Sequence, residues 1–249
     1  MNIVVAMKQI PDLQQIRIRN RKPVLDGVPA GLGIIDKNAL EAAVLIKESQ
    51  GGKVIVLSAG NEEVEETVKE ALAAGADEAF LVLDDDLEGA DGSMKALVLA
   101  EAIRKIEDVG LILFGEGSGD NYSGQVGSRV AELLGLPQVG YARTIEINDS
   151  SAVITRSLED GDEIIEVSLP VIVTVLGDIN EPRIPSVTQI LKAGKKPKEV
   201  LELEDLELDL TGLPEIKTVS NLAPETDRKQ VKVSSVDELL QALKTEGVI

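Results

Sequence analysis

The first half of the chain alternates short apolar runs with helix-like stretches, and this alternation limits the possible folds more than any other feature. The apolar runs have the length of buried strands, and amphipathic helical spacing follows each of them. The runs lie at 2–7, 53–57, 78–83 and 111–114, and the helical patterns at 36–49, 62–74, 91–106 and 128–134. Successive strand–helix units predict parallel strands joined by right-handed crossovers. We therefore predict a doubly wound α/β fold with a mostly parallel sheet.

The pattern changes after Pro137. Three stretches there alternate apolar and polar residues, and turn-forming residues separate them. These stretches, at 141–147, 152–158 and 162–168, predict a small antiparallel meander. The run 169–175 then predicts one more buried strand.

The C-terminal part differs again in character, and we place a domain boundary at Lys198. Residues 1–198 form the predicted α/β nucleotide-binding domain, and residues 199–249 form a C-terminal arm. The start of the arm is rich in acidic residues but keeps four leucines, Leu201, Leu203, Leu206 and Leu208. This is too apolar for a solvated linker, so we expect the arm to pack on a partner; packing on its own domain is the alternative. A capping box at 235–238 predicts a final helix.

A glycine-rich stretch, Gly115 to Gly127, lies between a predicted strand and a predicted helix. Small residues let the backbone approach an anion, and the free N–H groups of a helix start carry partial positive charge. The spacing does not match the P-loop or the dinucleotide fingerprint, and Glu116 breaks the nucleophile elbow around Ser118. The stretch predicts a phosphate site; a flexible loop without a ligand is the alternative.

Two other strand ends point to the same edge of the predicted sheet. Lys8 follows the first strand, where it either meets a phosphate or is solvated. Ala59 and Gly60 follow the second strand and leave room for a ligand beside the backbone. Ligands of open α/β sheets bind where the carboxyl ends of strands converge.

The composition excludes several kinds of chemistry. The chain has no Cys and no His, so it lacks a thiolate nucleophile and the commonest general base, and we expect no catalytic residue and no metal site. Any redox chemistry belongs to a bound cofactor. The formal net charge of −19 argues against nucleic acid as a partner. No apolar run has membrane-spanning length, and we expect a cytoplasmic protein without a transmembrane segment.

Several short motifs in this order resemble the beta subunit of electron-transfer flavoproteins. They are Val5 to Asp12, Ala39 to Ala43, Ala71 to Asp77, Gly124 to Gly127 and, most specifically, Asn180-Glu181-Pro182-Arg183. The resemblance implies an adenine-nucleotide-binding, Rossmann-like domain that pairs with an alpha subunit. It also implies an FAD held chiefly by that alpha subunit, and AMP or a second FAD held by the beta subunit.

The resemblance also implies site residues. The nucleotide site would involve fifteen positions: Ala6, Lys8, Gly33, Ile34, Ile35, Asp36, Ala59, Gly60, Asp120, Asn121, Tyr122, Ser123, Gly124, Gln125 and Val126. Tyr122 narrows the path that a longer ligand would need, whereas the neighbouring glycines open it, and on balance the sequence favours AMP. Ser186 and Val187 fall in the loop that docks partner dehydrogenases in this family.

We therefore expect an electron-carrier subunit rather than a stand-alone enzyme. It would pass electrons between an acyl-CoA or similar dehydrogenase and a quinone reductase or another acceptor, and a second FAD would make it part of a bifurcating flavoprotein. The alternative is a nucleotide-binding sensor or stress-type domain that forms homodimers without electron transfer.

Overall fold

The computed structural model describes residues 1–208, 216, 218–225 and 229–249. The strands in these residues are β1 (Asn2–Ala6), β2 (Gln9–Pro11), β3 (Arg17–Arg19), β4 (Lys22–Val24), β5 (Ala30–Leu32), β6 (Lys53–Gly60), β7 (Glu78–Leu83), β8 (Val109–Gly115), β9 (Gln138–Ile147), β10 (Ser151–Leu158), β11 (Gly161–Ser168), β12 (Val171–Val175) and β13 (Lys198–Leu201). The helices are α1 (Ile34–Gln50), α2 (Val64–Ala73), α3 (Gly92–Arg104), α4 (Val126–Leu134), α5 (Val187–Ala193) and α6 (Val236–Thr245). Short 3-10 turns lie at Asp85–Leu87 and Leu203–Asp205.

Within the described residues the main sheet has nine strands in the order β11-β10-β9-β12-β8-β1-β6-β7-β13. All neighbouring pairs are parallel in the part of the sheet that runs β9-β12-β8-β1-β6-β7-β13. β10 pairs antiparallel with both β9 and β11. β1 lies near the centre, where Val4 is opposite Ile55 on one side and Ile112 on the other. The predicted doubly wound sheet and its antiparallel meander are confirmed.

Both faces of the sheet are covered by helices, which explains the continuous apolar runs. Alternate residues of β1 point to opposite faces. Ile3 and Val5 pack in the core that includes α1 and α2, and Val4 and Ala6 pack in the core that includes α3 and α4. This alternation places the helices in two layers around one central sheet.

The start of α1 differs from the expected one. The helical pattern at 36–49 predicts a start at Asp36, but α1 begins at Ile34 with Gly33 in the N-cap position, so Asp36 lies within the first turn. The Asp36 side chain turns away from its own helix and accepts from the N–H groups of Lys8, just after β1, and of Gly115 in β8.

The sheet continues past Lys198. β13 pairs in parallel with β7, and Leu206 is buried in the core beside α3. The described residues form two compact units, Met1–Ile16 with Leu25–Val219 and Arg17–Val24 with Ser220–Ile249. The packing of the arm on a partner stays a prediction, and Asp209 and Pro214 of the arm lie outside the described residues.

The second unit contains the β3–β4 hairpin and α6. The Arg21 carbonyl accepts a hydrogen bond from the Ala223 N–H at 2.7 Å, and the Arg21 Nε donates to the Ala223 carbonyl at 2.8 Å. α6 begins after Ser235, whose hydroxyl accepts from the Glu238 N–H at 3.2 Å. None of the helices in the described residues combines the length and the apolar character that a membrane span requires.

Candidate functional site

A cavity lies in the first unit at the carboxyl ends of β1, β6, β8 and β12. Residues from these ends, from the first turns of α1, α3 and α4, and from the glycine-rich stretch form its wall. They are Ala6, Met7, Lys8, Asp36, Ala59, Ala90, Gly92, Lys95, Leu99, Phe114, Gly115, Glu116, Gly117, Ser118, Asn121, Ser123, Gly124, Gln125, Val126, Gly127 and Thr174. The three strand ends that the sequence singled out therefore meet at one site.

Asp36 joins three elements at the base of this cavity. Its Oδ2 accepts a hydrogen bond from the Lys8 N–H at 2.8 Å, and its Oδ1 accepts from the Gly115 N–H at 3.3 Å. Burial raises the pKa of Asp36 to about 6, although the two backbone N–H groups and the Lys8 charge oppose this rise. A Cβ at Gly115 would lie 2.7 Å from Oδ1, so this position requires glycine. The carboxyl group thus ties α1 to the ends of β1 and β8.

The glycine-rich stretch delivers the chain to the start of α4. Gly124 has a φ of +63°, a left-handed conformation that glycine adopts without strain. α4 begins at Val126 after Gln125, whose side chain makes no capping hydrogen bond. Val126 and Gly127 of the first turn line the cavity, and Gln125 does not cap this turn, which is the arrangement that binds a phosphate at a helix start.

Arg129 orients the amide of Gln125. Its Nη2 donates to the Gln125 Oε1 at 3.0 Å, and its Nη1 donates to the Ser93 hydroxyl at 3.0 Å. Because the amide oxygen is engaged by Arg129, the amide N–H₂ is the group that Gln125 can offer to a ligand. The same arginine links the first turn of α3 to that of α4.

Two lysines on the cavity wall have different surroundings. The Lys8 ammonium forms an ion pair with Asp120, with Nζ 2.6 Å from Oδ2. Burial opposes ionisation of Asp120, but hydrogen bonds from Lys8 and Ser118 outweigh it and lower the pKa of this carboxyl. Lys95 in α3 forms no such pair with any residue that the structure describes. Burial and the nearby Lys8 charge lower the pKa of Lys95.

Nine of the fifteen predicted nucleotide-site residues line the cavity: Ala6, Lys8, Asp36, Ala59, Asn121, Ser123, Gly124, Gln125 and Val126. Six lie outside its wall: Gly33, Ile34, Ile35, Gly60, Asp120 and Tyr122. Tyr122 is 56% exposed and donates its hydroxyl to Glu116, so its ring does not narrow the cavity. Asp120 acts on the cavity through Lys8.

Sequence reasoning missed the contribution of α3 and the end of β12. Ala90, Gly92, Lys95 and Leu99 line the cavity because α3 begins at the same edge of the sheet as α4. The helical pattern at 91–106 begins at Asp91, and Asp91 caps α3 by accepting from the Ser93 and Met94 N–H groups. This cap residue is the one sequence signal that could have located the start of α3. Lys95 itself, one turn later, looks in the sequence like any solvated helix residue.

The two residues predicted to dock a partner lie at the start of α5. Ser186 is the N-cap and forms a capping box with Gln189. Val187 is 74% exposed, and Ile184, Ile190 and Leu191 beside it are also exposed. We call these four aliphatic residues the α5 surface. Lys196, which follows α5, donates to the Leu72 and Ala76 carbonyls and so does not add a free charge to this surface.

The segment that leads to the α5 surface is fastened to α1. Asn38 and Asn180 exchange side-chain to backbone hydrogen bonds at 2.8 and 2.9 Å. Arg183 donates from Nε and Nη2 to the two carboxylate oxygens of Glu41 at 2.7 and 2.9 Å, and also bonds to Glu48. A bidentate pair of this kind fixes the position of the arginine as well as its charge. The Asn180 to Arg183 motif therefore holds the entry to α5.

Comparison with known proteins shows similarity to one family. Residues 26–206 match the family model "Electron transfer flavoprotein domain". The chain is 40% identical to the electron transfer flavoprotein subunit beta of Thermoanaerobacterium thermosaccharolyticum, over 98% of this chain and 96% of that protein. It is 40% identical to the caffeyl-CoA reductase-Etf complex subunit CarD of Acetobacterium woodii, over 84% and 80%. It is 39% identical to the electron transfer flavoprotein subunit beta of Bacillus subtilis, over 90% and 88%.

Proposed function

This chain belongs to the electron transfer flavoprotein family, and we propose that it is the beta subunit of a heterodimeric electron carrier. The observation that supports this most is 40% identity to a named beta subunit across almost the full length of both chains. The subunit pairs with an alpha subunit, and together they carry electrons through a flavin. The comparisons give no support to the alternative of a homodimeric sensor.

The chain's own residues fit a role in positioning rather than in acid–base chemistry. It contains no His and no Cys, and its buried carboxyl, Asp36, is occupied with two backbone N–H groups. The flavin supplies the redox chemistry when it is bound. What the beta subunit supplies is a rigid sheet edge, a nucleotide cavity and a surface for other proteins.

We propose that the cavity binds an adenine nucleotide. The uncapped start of α4, the oriented amide of Gln125 and the small residues around Ala59 suit an adenosine phosphate, which AMP and FAD share. AMP remains the favoured ligand and a second FAD the alternative. The ring of Tyr122 lies outside the cavity, so it does not block the path of a longer ligand and no longer favours AMP. The shared FAD is held chiefly by the alpha subunit.

We further propose that the α5 surface docks an acyl-CoA or similar dehydrogenase. Exposed aliphatic side chains on a segment fastened by Arg183 and Asn180 combine an apolar anchor with a fixed position. One relative is a subunit of a caffeyl-CoA reductase complex, which supports the proposal that this chain acts together with an enzyme whose substrate is a CoA thioester. Electrons would then pass to a quinone reductase or another acceptor.

Expression with and without an alpha subunit tests the proposal. Alone, this chain should show no stoichiometric flavin band in its visible spectrum. Together with the alpha subunit it should elute as a heterodimer in size-exclusion chromatography, with a flavin that a dehydrogenase reduces. A homodimer that ignores the alpha subunit would contradict the proposal. A flavin held by this chain alone would contradict AMP as the ligand of the cavity and favour a second FAD.

A further inference from the structure

Lys95 is the cavity residue for which neither the family resemblance nor the sequence motifs provide a role. It lies in the first turn of α3, where its N–H donates to the Asp91 carbonyl at 3.1 Å, and its side chain reaches the cavity wall. The Asp91 carboxylate accepts hydrogen bonds from the N–H groups of Ser93 and Met94, so these N–H groups at the start of α3 already have a partner within the protein. The lysine side chain is therefore what α3 offers to a ligand.

The Lys95 ammonium has no carboxylate partner within the residues that the structure describes. This is notable because acidic residues outnumber basic ones, 44 to 25. Lys8, on the same wall, is neutralised by both oxygens of Asp120, at 2.8 and 2.6 Å from Nζ. Lys95 is half-buried, so its charge is partly shielded from water, and this burial lowers its pKa. A shielded ammonium without a partner is stabilised by an anion that enters the cavity.

The same anion would lie at the start of α4. A Cβ placed on Gly92 would be 3.8 Å from the Val126 Cγ2, so the first turns of α3 and α4 are in contact. The hydrogen bonds of Arg129 to Ser93 and Gln125 hold the two turns together. Lys95 and the first-turn residues Val126 and Gly127 of α4 thus line the same cavity. A phosphate is the anion for which this combination of a point charge and backbone donors is suited.

We propose that Lys95 contacts the phosphate of the bound adenine nucleotide and makes the cavity prefer phosphorylated ligands over adenosine. This inference rests on the proposed nucleotide site and deepens it. Lys8 does not substitute for Lys95, because Asp120 holds the Lys8 ammonium. The preference therefore depends on one lysine and one helix start.

Titration of the nucleotide-free heterodimer with AMP and with adenosine tests the inference. Lys95→Met should weaken AMP binding by at least about tenfold, because a charge-assisted hydrogen bond to a phosphate is lost. Adenosine binding should change by less than about twofold, since adenosine has no phosphate. Lys95→Arg should retain most of the preference for AMP. Lys105→Met removes the same charge from the exposed end of α3 and should behave as the wild type.

The outcomes separate the inference from the function it rests on. If wild-type protein binds AMP and Lys95→Met keeps the same ratio of AMP to adenosine affinity, the inference is wrong and the nucleotide site stands. Equal weakening of both ligands would assign Lys95 a structural role and also overturn the inference. If the wild type binds neither ligand, the nucleotide site itself is wrong. Lys95→Gln, which stays polar, replaces Lys95→Met in these comparisons if the methionine variant does not fold.

Discussion

The cavity and the α5 surface place polar and apolar groups in opposite ways. At and beside the cavity, polar groups are turned inwards: Asp36 is buried and accepts from the N–H groups of Lys8 and Gly115, and the buried Ser58 hydroxyl donates to the carbonyl of Met7 at 2.7 Å. On the α5 surface, aliphatic side chains such as Val187 and Leu191 are turned outwards. A site for a small polar ligand needs preorganised donors, whereas a site for a protein needs apolar area that only the partner covers. The contrast is what the two proposed binding functions, for a nucleotide and for a protein, would require.

This comparison can be tested through stability and activity. Changes at the cavity should cost folding free energy because its polar groups are shared between elements. Changes on the α5 surface should leave folding unaffected and alter only the reaction with a partner.

The largest effect is expected from Gly115→Ala. The new Cβ would lie 2.7 Å from the Asp36 Oδ1 and 3.1 Å from backbone atoms of α1, so β8 and α1 must separate. We expect a loss of roughly 3 kcal/mol or more in the free energy of unfolding, measured by urea denaturation. Gly194→Ala is the matched control, because no atom lies within 4 Å of its added Cβ. Equal stability of the two variants would show that the cavity edge is not tightly packed.

Arg183→Met should have the next largest effect. Glu41 is 8% exposed at its side chain and would lose both hydrogen bonds of the pair. We expect a loss of about 2 to 3 kcal/mol in the free energy of unfolding, since the buried carboxylate loses its cation and keeps only the backbone N–H of residue 183 as a donor. Arg183→Lys keeps the charge but not the bidentate geometry and should fall between the wild type and Arg183→Met. If both variants melt like the wild type, Arg183 does not fasten the segment before α5.

Asp36 should make stability depend on pH. Its pKa of about 6 in the folded protein lies above its ordinary value of 3.8, so folding favours the protonated form. Its contribution is fully present below pH 3.8 and is lost as the pH rises through 6. Relative to Asp36→Asn, the wild type should lose on the order of 2 kcal/mol between pH 4 and pH 7. A difference between the two proteins that does not vary with pH would contradict the raised pKa.

Much of the fold could be predicted from the sequence because buried parallel strands read as continuous apolar runs. β1, β6, β7 and β8 were located from such runs, and the three strands of the meander from alternating residues. β13 was not, because Lys198–Leu201 is short and its pairing with β7 is a tertiary contact. Local sequence patterns carry no information about which distant strand will pair with the edge strand of a sheet.

The part of the candidate site that one continuous stretch of sequence forms could be predicted. The stretch from Gly115 to Gly127 showed the strand, the glycines and the helix start in order. Lys95 and Thr174 were missed because each reaches the cavity only through the packing of its own element against that edge. The role of Asp36 also depended on packing. The expected donors to its carboxylate are N–H groups of α1, whereas its actual donors are the N–H groups of Lys8, just after β1, and of Gly115 in β8.

The smallest effect on stability is expected from Val187→Ala. The side chain is 74% exposed, so the melting temperature should stay within about a degree of the wild type. Electron transfer from the dehydrogenase should slow, because an apolar anchor of the docking surface is shortened. Ile164→Ala changes an equally exposed aliphatic residue on β11 (75% exposed) and serves as the control for the transfer rate. A drop of several degrees with an unchanged transfer rate would show that Val187 belongs to the core of its own domain.

Acid release of the nucleotides from purified wild-type heterodimer tests the nucleotide site most directly. The heterodimer is denatured, and the released nucleotides are separated and quantified by chromatography. We predict one FAD and one AMP per heterodimer, with the AMP coming from the cavity between β1, β6, β8 and α4. Two FAD and no AMP would keep the site but overturn AMP as its ligand, and a bifurcating flavoprotein would follow. One FAD with no second nucleotide would contradict the central claim that this cavity is an adenine-nucleotide site.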